Sequence, residues 1–143
     1  MVLKFKFSKE RVGEHIVFRP KIPVKLKGEK DFVFADGIID TGTDISVIPN
    51  SIADIIGIAF KDGPEMLTME NPYRMRYGKI DLEVVAKEQR NTIKIASLPI
   101  ASPVVEGSEP WLVDDVIIGI AGFFDNLEIT FNKQQNRILI KQK

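Results

Sequence analysis

The sequence has 143 residues but contains no cysteine, one histidine and one tryptophan. Without cysteine, the chain cannot form a disulfide scaffold, a zinc site built from thiolates or a cysteine nucleophile. The single histidine, His15, excludes a multi-histidine metal site within one chain, and a Ser-His-Asp triad would depend on it alone. Any chemistry must therefore come mainly from carboxylates, hydroxyls, lysines or the backbone.

Long apolar runs are also missing. No uninterrupted run approaches the roughly 20 residues that a membrane-spanning helix needs. Charged residues interrupt the first ten positions, so the apolar region of a secretory signal peptide is absent. We therefore expect a soluble, cytoplasmic protein without a membrane partner. Because the length is close to the common domain size, residues 1–143 are expected to form one domain.

Charges balance over the whole chain, with 20 Lys and Arg against 20 Asp and Glu, but they are unevenly distributed. Residues 1–34 contain nine basic and four acidic side chains, a net charge of +5, so the remainder carries −5. A basic segment of this kind can bind nucleic acid or anionic lipid. Here the lysines alternate with apolar residues, as on the solvent face of strands. We therefore expect strands and no nucleic-acid partner.

Alternating apolar and polar residues predict that most of the chain forms short strands. Clear examples are Lys79–Val85, Thr92–Leu98 and a C-terminal hairpin of Leu127–Phe131 with Arg137–Ile140. Between the strands, residues 61–75 form a polar segment with three methionines, which predicts a hairpin or loop.

Helix signals are confined to two short segments. The first is Ile52–Ile56, with Asn50 or Ser51 as the N-terminal cap and Gly57 as the stop signal. The second is Gly119–Phe124. The predicted fold class is therefore all-β with one or two short helices.

One segment carries the residue types that catalysis needs. Asp40 follows the apolar residues Ile38 and Ile39 and is itself followed by Thr41 and Gly42. A carboxylate at the end of a buried strand must turn outward or be held by hydrogen-bond donors. Thr41 offers a hydroxyl, and Gly42 allows a tight turn with its N–H close to the carboxylate. The alternative is an ordinary turn, because Asp, Thr and Gly are common turn residues.

Two motifs together resemble those of the aspartic peptidases. The segment Ile38–Pro49 is similar to the active-site signature of that family. About 75 residues later, Val116–Gly119 followed by Phe123 and Phe124 looks like the family's apolar-apolar-Gly element. Residues 61–75 lie where the family keeps its flap. Because the chain has one Asp-Thr-Gly, it resembles the single-lobe retropepsins, in which two identical chains each supply one aspartate.

This resemblance implies a closed or partly open acid-protease-like β-barrel with a flap hairpin, which works as a homodimer. Residues 1–15 precede the part of the chain that the resemblance covers and are a possible N-terminal extension strand. Asp40 and its symmetry mate would form a dyad that shares one proton and activates a water against an extended peptide. This chemistry requires no metal and no cofactor.

The resemblance also implies roles for the neighbouring residues. Thr41 would hydrogen-bond across the dimer, and Gly42 would place backbone groups against the substrate. Asp44 would orient the substrate backbone.

The remaining implied positions belong to the loop, the flap and the second motif. Ser46 and Gly119 would brace the catalytic loop. Ile118 would contact substrate, and Tyr73 would stack over the site from the flap.

Some residues depart from the family's pattern. Thr43 stands where Ala or Ser is commoner and adds a hydroxyl near the site. Ile120 replaces an arginine that, in many retroviral members, pairs with the residue matching Asp44. The flap has no glycine between Pro64 and Tyr77. These departures keep two alternatives open: a catalytically weak or inactive retropepsin-like domain that dimerises or binds peptides, and an unrelated β-barrel.

Overall fold

Short strands with alternating burial make up most of the structure, a computed structural model. It describes residues 1–63, 66–67, 72–86, 90–104 and 115–143, and at 66–67 and 72–73 it describes the backbone alone. The elements in chain order are β1 (Val2–Phe5), β2 (Ser8–Val12), β3 (His15–Arg19), β4 (Lys21–Lys27), β5 (Phe32–Ile39), β6 (Ser46–Val47), α1 (Asn50–Ile56), β7 (Lys61–Asp62), β8 (Met66–Leu67), β9 (Pro72–Tyr73), β10 (Met75–Ala86), β11 (Asn91–Pro103), β12 (Val116–Ile118), β13 (Leu127–Asn132) and β14 (Arg137–Gln142).

Six strands close into a barrel. Their order is β11-β6-β12-β5-β4-β10, and the ring closes because β10 also pairs with β11. Strand β5 runs antiparallel to β4 but parallel to β12. A closed ring leaves no free sheet edge among its members. The predicted all-β, barrel-type fold class is confirmed.

The barrel interior explains the lysine-rich alternation near the N-terminus. In β4, Ile22, Val24 and Leu26 are fully buried, whereas Lys25 between them points outward. A second, three-stranded sheet of β1, β14 and β13 contributes to the same core. Leu3 of β1 is fully buried there, so the first strand contributes to the core.

The helix α1 forms where the sequence predicts it and ends at Gly57, whose φ is +74°. The predicted cap is wrong: Pro49 occupies the N-cap position, and no side chain caps the helix. The Asn50 amide oxygen instead lies 2.7 Å from the Ser102 hydroxyl and 3.2 Å from Nη2 of Arg76. The Asn50 side chain, which the local sequence predicts to cap the helix, therefore makes tertiary contacts instead.

The second predicted helix does not form. Residues 121–123 make a turn, in which the Phe124 N–H donates to the Ile120 carbonyl at 3.1 Å. In the described part of the chain, no helix is both long and apolar enough to cross a membrane.

The described residues of the segment 61–75 form two antiparallel pairings. Lys61–Asp62 of β7 pairs with residues 76–77 of β10, and Met66–Leu67 pairs with Pro72–Tyr73. These two ladders have the antiparallel pairing that the predicted hairpin requires. Its tip, residues 68–71, lies outside the described residues, and its role as a flap stays a prediction.

The strands β2 and β3 form a separate hairpin. They pair with each other and with no other described strand. Glu10 on one face of this hairpin forms two ion pairs. Its carboxylate lies 3.3 Å from Nε of Arg19 and 2.8 Å from Nζ of Lys21. Lys21 also lies 3.6 Å from Asp115, just before β12. These ion pairs attach the base of the hairpin to the barrel.

Glu10→Gln should loosen the hairpin in a pH-dependent way. The hydrogen bond from Lys21, supported by Ser8 and Arg19, lowers the pKa of Glu10 below its ordinary value of 4.5. A lowered pKa stabilises the folded state above pH 4.5, and this contribution disappears as the pH falls through the folded pKa. At pH 6 we expect amide hydrogen exchange in β2 and β3 to rise about two- to fivefold in the variant.

The pH series supplies the control for this measurement. Once the pH is below the lowered pKa of Glu10, the wild type and Glu10→Gln should exchange at equal rates, because both then lack the carboxylate. Glu14→Gln, the same change in the exposed hairpin turn, should leave exchange unchanged at every pH. Equal exchange in wild type and Glu10→Gln at pH 6 would show that the ion pairs do not fix the hairpin.

Candidate active site

The fold places Asp40 where two parallel strands end. Strands β5 and β12 run side by side with Ile39 opposite Ile118, so Asp40 and Gly119 follow them at the same end of the barrel. The Asp40 N–H donates to the Ile118 carbonyl at 2.9 Å, and the Ile39 N–H donates to the Pro20 carbonyl at 3.0 Å. Neighbours on both sides thus fix the backbone that carries the carboxylate.

The half-buried Asp40 carboxylate receives one donor on each oxygen. The Gly42 N–H donates to Oδ1 at 2.9 Å, and the Thr43 hydroxyl donates to Oδ2 at 2.9 Å. The Thr43 N–H closes the turn onto the Asp40 carbonyl at 3.2 Å. A Cβ at position 42 would lie 3.2 Å from Oδ1, which is why glycine suits this position. The turn therefore holds the carboxylate in one orientation.

The two sequence motifs meet directly behind this turn. The buried Ser46 hydroxyl accepts a hydrogen bond from the Gly119 N–H at 3.0 Å. The next two N–H groups, of Ile120 and Ala121, donate to the carbonyls of Thr43 and Asp44 at 2.9 and 2.8 Å. Three consecutive amides thus connect the second motif to the catalytic loop. Ser46 and Gly119 occupy the positions that their predicted bracing role requires.

The remaining predicted residues differ in accessibility. Thr41 and Asp44 are exposed beside Asp40, as contact with a partner or substrate requires. Ile118 is fully buried in the core, and its predicted contact with substrate stays a prediction. The exposed apolar side chain here is Ile120, which is 41% exposed. The Tyr73 side chain lies outside the described part of the structure.

Sequence reasoning missed a polar network beneath the loop. The buried Ser102 hydroxyl lies 3.0 Å from the Ile48 carbonyl and also contacts Asn50. Arg76, which binds the same Asn50 oxygen, stacks over the ring of Phe60 at 4.0 Å. This network links the chain that leaves the catalytic loop with β10 and β11. The one sequence feature that indicates this network is Ser102, a serine within the apolar end of β11.

Among the described residues, no three His, Asp or Glu side chains lie close enough together to hold a metal ion. The Asp40 turn instead combines a single accessible carboxylate with donors from backbone and hydroxyl groups.

Comparison with known proteins identifies the class of fold. No protein-family model matches the sequence, and no curated protein matches it either. Among solved structures, a retropepsin-like aspartic protease from Rickettsia conorii matches with a TM-score of 0.60 at 14% identity, over 98% of this chain and 91% of that one. EIAV protease, complexed with the inhibitor HBY-793, matches with a TM-score of 0.49 at 15% identity, over 77% of this chain and 86% of that one. The chain therefore has the fold of a retropepsin-like aspartic protease.

Proposed function

We propose that this protein is an aspartic endopeptidase whose active site forms between two copies of the chain. The observation that carries the proposal is the Asp40 turn, with one donor on each carboxylate oxygen, at the end of a barrel with a retropepsin-like fold. One carboxylate cannot act as both general base and general acid at the same moment. A twofold dimer supplies the second carboxylate from the same residue of the other copy.

The proposed mechanism uses one shared proton. Two carboxylates a few ångströms apart cannot both ionise cheaply, so one Asp40 is charged and the other protonated. The charged carboxylate takes a proton from water while the water oxygen attacks the scissile carbonyl carbon. The protonated carboxylate gives its proton to the carbonyl oxygen, which forms a neutral tetrahedral intermediate. The carboxyl group that took the proton from water then gives it to the amide nitrogen, and the C–N bond breaks to release the amine. One hydroxyl of the intermediate returns its proton to the other carboxylate, which yields the new carboxylic acid and restores the dyad.

The groups around Asp40 support these steps. The Gly42 N–H and the Thr43 hydroxyl keep both oxygens of each carboxylate oriented toward the shared water. Asp44, exposed beside the turn, is positioned to accept hydrogen bonds from the substrate backbone. Substrate binds as an extended strand under the predicted flap, residues 61–75, a form of strand addition, with Thr41 linking the two loops across the dimer.

Thr43→Val tests the contribution of the hydroxyl. The variant keeps the shape of the side chain but removes the donor to Asp40 Oδ2. A hydrogen bond to a charged group contributes about 1.5–3 kcal/mol, so we expect kcat to fall about 10- to 100-fold with little change in KM. Thr43→Ser, which keeps the hydroxyl, should retain most of the activity. Equal kcat for the wild type and Thr43→Val would remove Thr43 from the mechanism.

A second candidate function is a domain that dimerises or binds peptides without cutting them efficiently. The observation in its favour concerns Asp44: Ile120 stands in place of a family arginine, and among the described residues no cation forms an ion pair with Asp44. A carboxylate without this partner is less firmly oriented for substrate.

Cleavage of an unfolded, alkylated protein at mildly acidic pH in H₂¹⁸O separates the two candidates. The endopeptidase account predicts internal fragments whose new carboxyl termini contain one ¹⁸O, because hydrolysis adds one water oxygen to each new terminus. Peptide binding by a dimer without cleavage would favour the second candidate. Cleavage that is blocked by a metal chelator would contradict the carboxylate mechanism.

A further inference from the structure

The hairpin of β2 and β3 has an outer face without a partner in the described part of the chain. Opposite residues of an antiparallel pair share a face. The register places Lys9 opposite Phe18 and Arg11 opposite Ile16. All four are exposed, and Ile16 and Phe18 keep 53% and 42% of their surface accessible. The outer face thus combines two large apolar side chains with two cations.

The hairpin joins the barrel beside Asp40. Because β4 runs antiparallel to β5, its first residue lies at the end of the barrel where β5 finishes. Pro20, which joins β3 to β4, accepts the Ile39 N–H, and Lys21 pairs with Asp115 just before β12. The junction at Pro20 and Lys21 is therefore fixed to both strands that position Asp40. The hairpin therefore joins the barrel at the end that the proposed dimer brings to its axis.

An isolated two-stranded hairpin is only marginally stable in water and needs a third strand or a covered face. The ion pairs of Glu10 hold one face, and the apolar residues lie on the other. A specific interface buries about 800 Å² on each partner, contributed by about 20–30 residues. The catalytic loop from Asp40 to Asp44 is far too short to supply this area alone.

We propose that the outer face of the β2–β3 hairpin packs against a second copy of this chain and forms part of the dimer interface. This proposal rests on the proposed function, because the shared dyad is what places the hairpin beside the partner. Charge supports a copy of the chain as the occupant. The outer face carries two positive charges, residues 35–143 carry a net −5, and Asp44 is exposed at the same barrel end.

Sedimentation equilibrium of the full chain tests the proposal. The double substitution Ile16→Ser with Phe18→Ser should raise the dimer dissociation constant at least about tenfold, and Arg11→Glu should raise it at low ionic strength. Phe34→Ser is the matched control, because Phe34 is 62% exposed but lies on the barrel strand β5. This control should leave the dissociation constant unchanged. Circular dichroism of each variant establishes that the barrel is folded.

Dye labelling provides an independent readout that does not depend on weakening the dimer. Because the chain has no cysteine, Ile16→Cys creates a unique site for an environment-sensitive dye. Its emission should shift to shorter wavelength as protein concentration passes through the dissociation constant. The same dye on Phe34→Cys should not shift.

The outcomes distinguish the hairpin proposal from the proposed function. A wild-type chain that stays monomeric would contradict the shared dyad and, with it, the hairpin interface. A wild-type dimer whose dissociation constant is unchanged in the hairpin variants would overturn only the hairpin proposal. A dye on residue 16 that responds to vesicles of phosphatidylserine and phosphatidylcholine but not to dimerisation would also overturn the hairpin proposal alone.

Discussion

Asp40→Asn is expected to abolish peptide cleavage and to leave the fold and the dimer intact. Asparagine has nearly the same shape, and its amide oxygen can still accept the Gly42 N–H. It can neither take a proton from water nor exchange the shared proton, so both acid and base functions are lost. General acid–base catalysis contributes about 10²–10⁴-fold, and we expect kcat to fall by at least about 10³-fold.

A neighbouring carboxylate supplies the control. Asp36 lies on the same strand as Ile39, four residues before Asp40, and is exposed on the barrel wall. Asp36→Asn changes the net charge by the same amount and should leave kcat and KM unchanged. Full activity in Asp40→Asn, measured with a quenched fluorescent peptide, would show that another group performs the chemistry.

Gly119→Ala is expected to have the largest effect on stability. A Cβ at this position would lie 2.7 Å from the Thr43 carbonyl oxygen, 2.8 Å from the Ile45 carbonyl carbon and 3.0 Å from the Ser46 nitrogen. All three are backbone atoms, so no side-chain rotation relieves the contact. Overpacking of this kind lowers the free energy of unfolding by about 1–3 kcal/mol. Activity should also fall, because the catalytic loop must move away from β12.

Urea denaturation of Gly119→Ala and Gly13→Ala separates steric overlap from backbone strain. Gly13 has a φ of +61°, but a Cβ there would meet no atom within 4 Å. Gly13→Ala should therefore lose only about 1 kcal/mol, the effect of a left-handed conformation. If Gly119→Ala were as stable as the wild type, the close approach of the two motifs would be wrong.

Periodicity made the barrel predictable. Alternation in β4 and β10 assigns one face of each strand to the interior, and the structure buries Val24 and Val84 while Lys25 faces outward. The end of α1 was equally readable, since Gly57 adopts the positive φ that stops a helix. In these cases the local residue pattern and the tertiary structure favour the same conformation.

Predictions failed where distant residues decide the outcome. Asn50 is a good capping residue, but Ser102 and Arg76 use its side chain, and both lie more than 20 residues away in the sequence. The burial of Ile118 was also not readable from the sequence, because it depends on how β12 packs against β5, where the Ile118 side chain lies over Gly37. A sequence of three apolar residues does not reveal which of them faces inward.

The N-terminal hairpin could not be predicted from the sequence for a different reason. Residues 8–14 are polar and show no apolar alternation, so periodicity predicts no strand there. The hairpin forms with its ion pairs centred on Glu10, whose partners Arg19 and Lys21 come from the strand opposite and from the barrel. The roles of Thr41 and Asp44 stay predictions, because both roles involve a partner or substrate.

Mixing wild-type and Asp40→Asn chains tests most directly whether each chain supplies half of one active site. After equilibration of the subunits at equal amounts, the shared dyad predicts about one quarter of the wild-type activity, because only dimers with two Asp40 carboxylates cut. Activity should follow the square of the wild-type fraction over the whole titration. A linear dependence, with about half the activity at equal amounts, would mean that each chain cuts peptides by itself and would contradict the account.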